Sequence, residues 1–235
     1  MKKTVLALIL AFVMLAGVLS LTSCGSPLDS DDAIAAMKFV DEQMAGVKGF
    51  VGTMTMTSEG VEMEADIKID ISGDTPKMYM NTEIMGMSIE ATLVDGTMYM
   101  LIGMGDMTVK QKTTDKDQID DMMGDLNSVG EDYEYASAEF VSRENGVYVM
   151  KATLSELDAK DMIGDLGDLE ASDISATVTY YCNAEGKVSK TVAEYSYTVE
   201  GETIDGVIEM TFTSLEVPTI TAPADADQYQ EAETE

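Results

Sequence analysis

The stretch Val61-Glu62-Met63-Glu64-Ala65-Asp66-Ile67-Lys68-Ile69-Asp70-Ile71 decides how this chain is read. Apolar and charged side chains alternate at every step. A period of two places successive side chains on opposite faces of an extended strand, so this strand has one dry face and one wet one.

The same alternation spreads outward in both directions. Thr53-Met54-Thr55-Met56-Thr57 precedes it, and Met85, Met87, Ile89, Ala91 and Leu93 follow before Asp95-Gly96, a tight hairpin signal. Met98, Met100 and Ile102 continue the pattern until Gly103 to Asp106 break it. Further strands are expected over Ser137–Arg143 and Val147–Ala152, joined at Asn145-Gly146, and over Ile174–Cys182, Val188–Val199 and Ile204–Val217. The closing turns should contain Glu185-Gly186, Gly201 and Asp205-Gly206. Up-and-down order with regular turn signals suggests about eleven strands in one sheet.

Helical spacing occurs in three places. Ala33, Met37, Val40, Met44 and Val47 form one apolar stripe, broadened by Ile34, with Asp29 or Ser30 as cap and Gly46 and Gly49 at the end. Asp31 and Asp32 complement the positive end of that helix. Between strands, Asp115–Val129 sets Ile119, Met122, Met123 and Leu126 against Asp117, Asp120, Asp121 and Asp125. Ser155–Leu169 reads as a shorter helix interrupted by Gly164 and Gly167. A one-sided antiparallel sheet of this length must curl and have its apolar face covered. The expected fold is therefore α+β: a strongly curved sheet, or half-barrel, with an N-terminal helix and two helical insertions over the concave face. Beyond Pro223 the chain is acidic and polar, and a flexible tail is expected over 223–235.

The N-terminus carries a different signal. Lys2 and Lys3 precede fifteen apolar residues, Val5 to Leu19. As a helix these span about 22 Å, short of the ~30 Å hydrocarbon core, and so fit a signal peptide rather than a spanning segment. Leu21-Thr22-Ser23-Cys24 looks like a bacterial lipobox, which implies cleavage between Ser23 and Cys24 and acylation of Cys24. The boundaries expected are a signal peptide over 1–23, a tether over 24–29 and a single domain over 30–222. The protein would then be anchored to the outer face of the bacterial cytoplasmic membrane, or to an outer membrane in a two-membrane cell. A monomer held by its acyl chains is expected.

Composition limits the chemistry. There are 44 acidic and 14 basic side chains, no His and no Trp. Without His, neither Ser–His–Asp nor Cys–His catalysis nor an imidazole metal site can form. The formal charge of −30 becomes −32 once residues 1–23 are removed, and it repels nucleic acid and anionic headgroups alike. An acidic domain of this kind is expected to stand off the membrane on its tether. Cys182 is the single thiol left after lipidation, and its strand parity marks it as a buried small hydrophobe. The carboxylates of 115–125 fail the calcium-loop pattern, because Ile119 takes a ligand position and no Gly follows it. No metal, cofactor or catalytic residue is assigned.

Certain edge phrases carry a family look. They are Ala45-Gly46-Val47-Lys48-Gly49-Phe50, Asp95-Gly96-Thr97-Met98-Tyr99-Met100, and the closing Phe212-Thr213 and Val217-Pro218-Thr219-Ile220-Thr221-Ala222-Pro223. Together with the element order over roughly residues 30–225, they resemble the LolA/LppX-like lipoproteins, nearest in appearance to small Gram-positive lipoproteins of unknown function. The resemblance implies a half-barrel closed by helices around a hydrophobic cavity that binds acyl chains or lipids. Lining residues would then be Met37, Val40 and Met44 on the first helix, and Met54, Met56, Met63 and Ile67 on the early strands. Met85, Met87, Ile89, Met98 and Met100 would follow on the next hairpins, with Ile119, Met122 and Met123 on the first insertion. Met suits such a surface because it is long, flexible and polarizable. The chain departs from characterised carriers in lacking Trp and having few basic residues.

Three functions stand at this point. The first is a lipid-anchored, non-enzymatic protein binding a lipid or other hydrophobic ligand. The second is a surface interaction or regulatory module with a solid core and a protein partner. The third is a hydrolase using paired carboxylates, which the missing Trp platform disfavours.

Overall fold

A computed structural model describes residues 26–116, 119, 134–163 and 171–232. The signal segment, Cys24, Asp117, Asp120, Asp121, Met122, Met123, Asp125, Leu126, and Gly164 and Gly167 lie outside the described residues.

A 3-10 turn at Pro27–Asp29 leads into helix α1 (Ala33–Ala45). Six strands follow: β1 (Gly49–Ser58), β2 (Val61–Asp70), β3 (Lys77–Ile84), β4 (Met87–Val94), β5 (Thr97–Met104) and β6 (Met107–Thr113). Next come β7 (Tyr135–Glu144), β8 (Val147–Leu154) and helix α2 (Glu156–Ile163). The chain closes with β9 (Ala171–Asn183), β10 (Val188–Val199), β11 (Glu202–Ser214) and the short β12 (Gln230–Glu231). The strands form a 12-stranded sheet in the order β12-β6-β5-β4-β3-β2-β1-β11-β10-β9-β8-β7. It is antiparallel in the hairpins from β2 to β6 and from β7 to β10, while β12 lies parallel to β6.

Local chemistry explains the hairpins. Glu59-Gly60, Met85-Gly86, Asp95-Gly96, Asn145-Gly146 and Glu200-Gly201 all carry positive φ at both positions. That is the backbone of the type I′ turn, whose twist matches that of the flanking strands. Met85 is therefore a turn residue at φ 53° and not the first residue of a strand, which corrects the sequence expectation. A second correction concerns Asp205-Gly206, which sits inside β11. Gly206 is there because the Tyr195 ring occupies the space of a Cβ.

The fold is sheet-dominated among the described residues, rather than an α+β fold with several helical layers. Of the second insertion, expected over Ser155–Leu169, the described residues form α2 at Glu156–Ile163, and 164–169 lie outside the described residues. Two compact units divide the chain. Among the described residues the first comprises 26–46, 56–61, 134–163 and 171–210, and the second 47–55, 62–116, 119 and 211–232.

In the first unit α1 lies on β7 and β8 and buries Ala33, Ala36, Met37 and Val40. Beneath it the register aligns Ala138, Ala152, Val178 and Ala193 across four strands, and such small side chains allow close approach. Asp32, not Asp29 or Ser30, caps α1: its Oδ1 accepts from the Ala35 N–H at 3.0 Å. Asp29 instead accepts from the Tyr148 hydroxyl, and Leu28 is fully buried, so the chain is folded from Ser26 rather than being a tether to residue 29. Ser155 caps α2 by accepting from the Asp158 N–H, and Ala159 is buried where α2 meets β9.

The regular structure of the second unit among the described residues is strand apart from one 3-10 turn (Ala226–Gln228) and isolated positions, with irregular stretches at 71–76 and 215–225. Residues 226–232, expected to be part of a flexible tail, form that turn and then β12 on β6. The cause is tertiary. Tyr229 is buried edge-on to Tyr99 at 5.4 Å, and the Lys110 ammonium binds both Asp225 and the Gln228 amide.

Candidate functional site

Register places four mainly apolar rows across β3, β4, β5 and β6. They are Met78–Leu93–Met98–Thr113, Met80–Ala91–Met100–Gln111, Thr82–Ile89–Ile102–Val109, and Ile84–Met87–Met104–Met107. Directly paired residues share one face, so these sixteen side chains form a continuous surface. Exposure rises along it. The first row is buried, Met87, Ile89, Met100 and Ile102 are half-buried, and Met104 and Met107 are 40% and 63% exposed. On β2, Ile69, Ile67 and Ala65 extend the first three rows with buried side chains.

The opposite face of these strands is polar. Tyr79 hydrogen-bonds Glu90 at 3.4 Å, and the Lys68 ammonium lies 5.0 Å from the Tyr79 ring. Burial, followed by the Glu90 charge, raises the Tyr79 phenol above its usual range. The C-terminal segment covers the β6 side of this face, where hydrogen bonding to Lys110 holds the Asp225 carboxyl below its usual range. An open groove of about 760 Å³ follows β6 and β12. Its lining is mostly polar, with Lys110, Gln111, Gln228 and Glu231 beside Val109 and Ala232.

The expected lining residues divide between the two units. In the first unit Met37 and Val40 are fully buried, Met56 is buried and Met44 is half-buried. In the second, Met54, Met63, Ile67, Met98 and Ile119 are buried, while Met87, Ile89 and Met100 belong to the graded face. Met85 projects from its turn, 85% exposed. Sequence reasoning missed Met104, Met107 and Val109. The β6 segment Met107-Thr-Val-Lys-Gln-Lys-Thr113 alternates, but Gln111 and Thr113 on its dry parity hide the signal.

A second feature lies in the first unit. The Tyr135 hydroxyl donates to Asp41 Oδ2 at 2.6 Å, joining β7 to α1. The Tyr180 hydroxyl is buried beside this pair. Burial first, and then the Asp41 carboxylate and Tyr135, push Tyr180 well above the ordinary phenol range. Tyr135 satisfies Asp41 Oδ2, whereas among the described residues Asp41 Oδ1 and the Tyr180 hydroxyl are buried without a hydrogen bond of good geometry. The cluster therefore fixes α1 through the Tyr135 bond, and the neutral Tyr180 phenol packs beside it. Cys182, on the same strand as Tyr180, is buried and its thiol is pushed up to about 11 by desolvation, the state of an inert packing residue.

Among the described residues, no three His, Cys, Asp or Glu side chains are placed to hold a metal. No described helix is long and apolar enough to cross a membrane.

No protein-family model matches the chain, and no curated protein does either. Among solved structures, the crystal structure of the di-domain ARO/CYC StfQ from the steffimycin biosynthetic pathway aligns over 84% of this chain and 85% of its own. Its identity is 9% and its TM-score 0.15, and it carries no argument about this chain.

Proposed function

We propose that this chain is a lipid-anchored, extracytoplasmic, non-enzymatic protein that binds a lipid or other hydrophobic ligand against the apolar face of β3–β6. One observation carries the reading: a continuous, mainly apolar surface that runs from buried Met78 and Met98 to 63% exposed Met107. Contiguous exposed apolar surface of this kind marks binding sites, and covering it gains about 25 cal/mol per Å². Met-rich lining accommodates chains of varied shape. The anchor rests on the lipobox at Leu21–Cys24 and on Lys2 and Lys3 before the apolar run.

Native mass spectrometry of the protein purified from membranes without delipidation tests the ligand. Acyl species are expected to co-purify, and Met100→Glu is expected to lower their occupancy about tenfold, the order of one charge placed in an apolar site. Absence of any bound acyl species, together with no binding of a fluorescent fatty acid, overturns the reading. For the anchor, Cys24→Ser is expected to release the protein into the medium.

A second reading, a surface interaction module, is favoured by Met85. This residue combines a left-handed backbone with 85% exposure at a turn tip, where Asn or Asp is the usual choice. A protein partner would be the occupant in that case.

A further inference from the structure

The distance between the acylated cysteine and the first buried side chain decides how the first unit meets the membrane. Leu28 is fully buried, and the Leu28 N–H bonds to Ser26 Oγ at 3.3 Å, so the first buried side chain comes four residues after Cys24. Four residues reach at most about 14 Å when fully extended. That is less than two Debye lengths at physiological salt, and far less than the length of the unit itself. Strand β10 alone, from Val188 to Val199, runs about 36 Å at 3.3 Å per residue.

Register then shows which end is held close. Asp29 accepts from the Tyr148 hydroxyl at 3.1 Å, and Arg143 donates to the Ser30 carbonyl and faces Asp31 at 3.7 Å. Both partners flank the Asn145-Gly146 turn. Val147 pairs with Asn183, which brings the Asn183–Lys187 turn to the same end, where Gly186 lies against Phe39 of α1. The Glu200-Gly201 turn closes the other end of β10.

We infer that the end of the first unit bearing the 145–146 and 183–187 turns rests at the phospholipid headgroups of the membrane that carries its anchor, rather than standing off on a long tether. This rests on the lipid-anchor reading above. The end is not itself a cationic patch. Arg143 is engaged with Asp31, and Lys187 lies 3.1 Å from Glu185, so the exposed remainder is acidic. The partner it fits is a zwitterionic headgroup layer, with proximity imposed by the short connection and not by charge attraction.

The test uses the full lipidated chain in phosphatidylcholine vesicles containing headgroup-spin-labelled lipid. A fluorophore is attached through Glu144→Cys in one sample and Glu202→Cys in another; both sites are exposed, and buried Cys182 stays in place. Quenching at position 144 is expected to exceed that at 202 at least threefold. Ten Gly/Ser residues inserted between Gly25 and Ser26 are expected to remove most of that difference. Equal quenching at the two sites in protein that floats with the vesicles overturns the inference and leaves the anchor intact. Protein that fails to float overturns the anchor reading, and with it the inference.

Discussion

The Tyr135 hydroxyl reaches Asp41 Oδ2 at 2.6 Å and so ties the first residue of β7 to the middle of α1. This bond is made to a charged, half-buried acceptor. Tyr135→Phe removes the donor and is expected to cost about 1.5–3 kcal/mol in urea unfolding, as for other hydrogen bonds to charged groups. Loss under 0.5 kcal/mol would show that α1 is held by its apolar stripe alone.

Tyr180 gives a pH dependence of definite sign. Its phenol is raised in the fold by burial, then by Asp41, above the unfolded value of about 10. Its contribution is therefore complete below about pH 10 and is lost as pH rises toward the folded value, because the unfolded chain releases the proton first. Tyr180→Phe is expected to lessen the alkaline loss of stability measured between about pH 9.5 and 11.5. An unchanged alkaline limb would place the effect on the other raised tyrosines, such as Tyr195 and Tyr79.

Gly186 has φ +76°, and a Cβ there would lie 2.8 Å from Phe39 Cε1 and 2.9 Å from Gln43 Cγ. Gly186→Ala combines left-handed strain of about 1–2 kcal/mol with overpacking of about 1–3 kcal/mol. Thermal unfolding should show the sum as a lowered Tm, partly restored by adding Phe39→Ala. A double variant no better than the single one would assign the whole cost to backbone strain.

Asp225 and Lys110 fasten the C-terminal segment. Asp225→Asn is expected to raise hydrogen exchange at the Gln230 to Ala232 amides without changing the β2–β5 amides. The Asp225 carboxyl is depressed by its hydrogen bond to Lys110, so the fastening is present above the usual carboxylate range and is lost as pH falls through the lowered folded value. Exchange protection of β12, measured down a pH series and corrected for intrinsic rates, should fade on that side only.

Met85→Asn replaces a side chain strained at φ 53° by one that tolerates this region, and it creates an Asn-Gly turn. A stabilisation of about 0.5–1 kcal/mol is expected. If lipid occupancy is unchanged in the same variant, Met85 is not part of the ligand face.

Much of the sheet was legible because it depends on local rules. Val61–Ile71 alternates at a period of two, and Asp95-Gly96 and Asn145-Gly146 can relax at positive φ, so strand faces and turns follow from residues adjacent in the chain. The α1 stripe was readable for the same reason, although the Asp32 cap fell two to three residues later than expected.

Other features depend on partners far away in sequence. Asp205-Gly206 looks like a turn until Tyr195 lays its ring over Gly206. The acidic end looks solvated until Tyr99 and Lys110, over a hundred residues earlier, receive Tyr229 and Asp225. Asp41 on α1 gives no local signal of a role, and only the fold brings Tyr135 and Tyr180 to it.

The sequence by itself determined most of the alternating strands, the turns at Asp95-Gly96 and Asn145-Gly146 and the first helix, because each is set by backbone geometry within a few residues. Only the tertiary structure decided that Leu28 is buried, that Gln230 and Glu231 join the sheet, and which apolar rows stay exposed. Burial and cross-strand register arise from long-range pairing, and alternation alone does not record which strand becomes the neighbour.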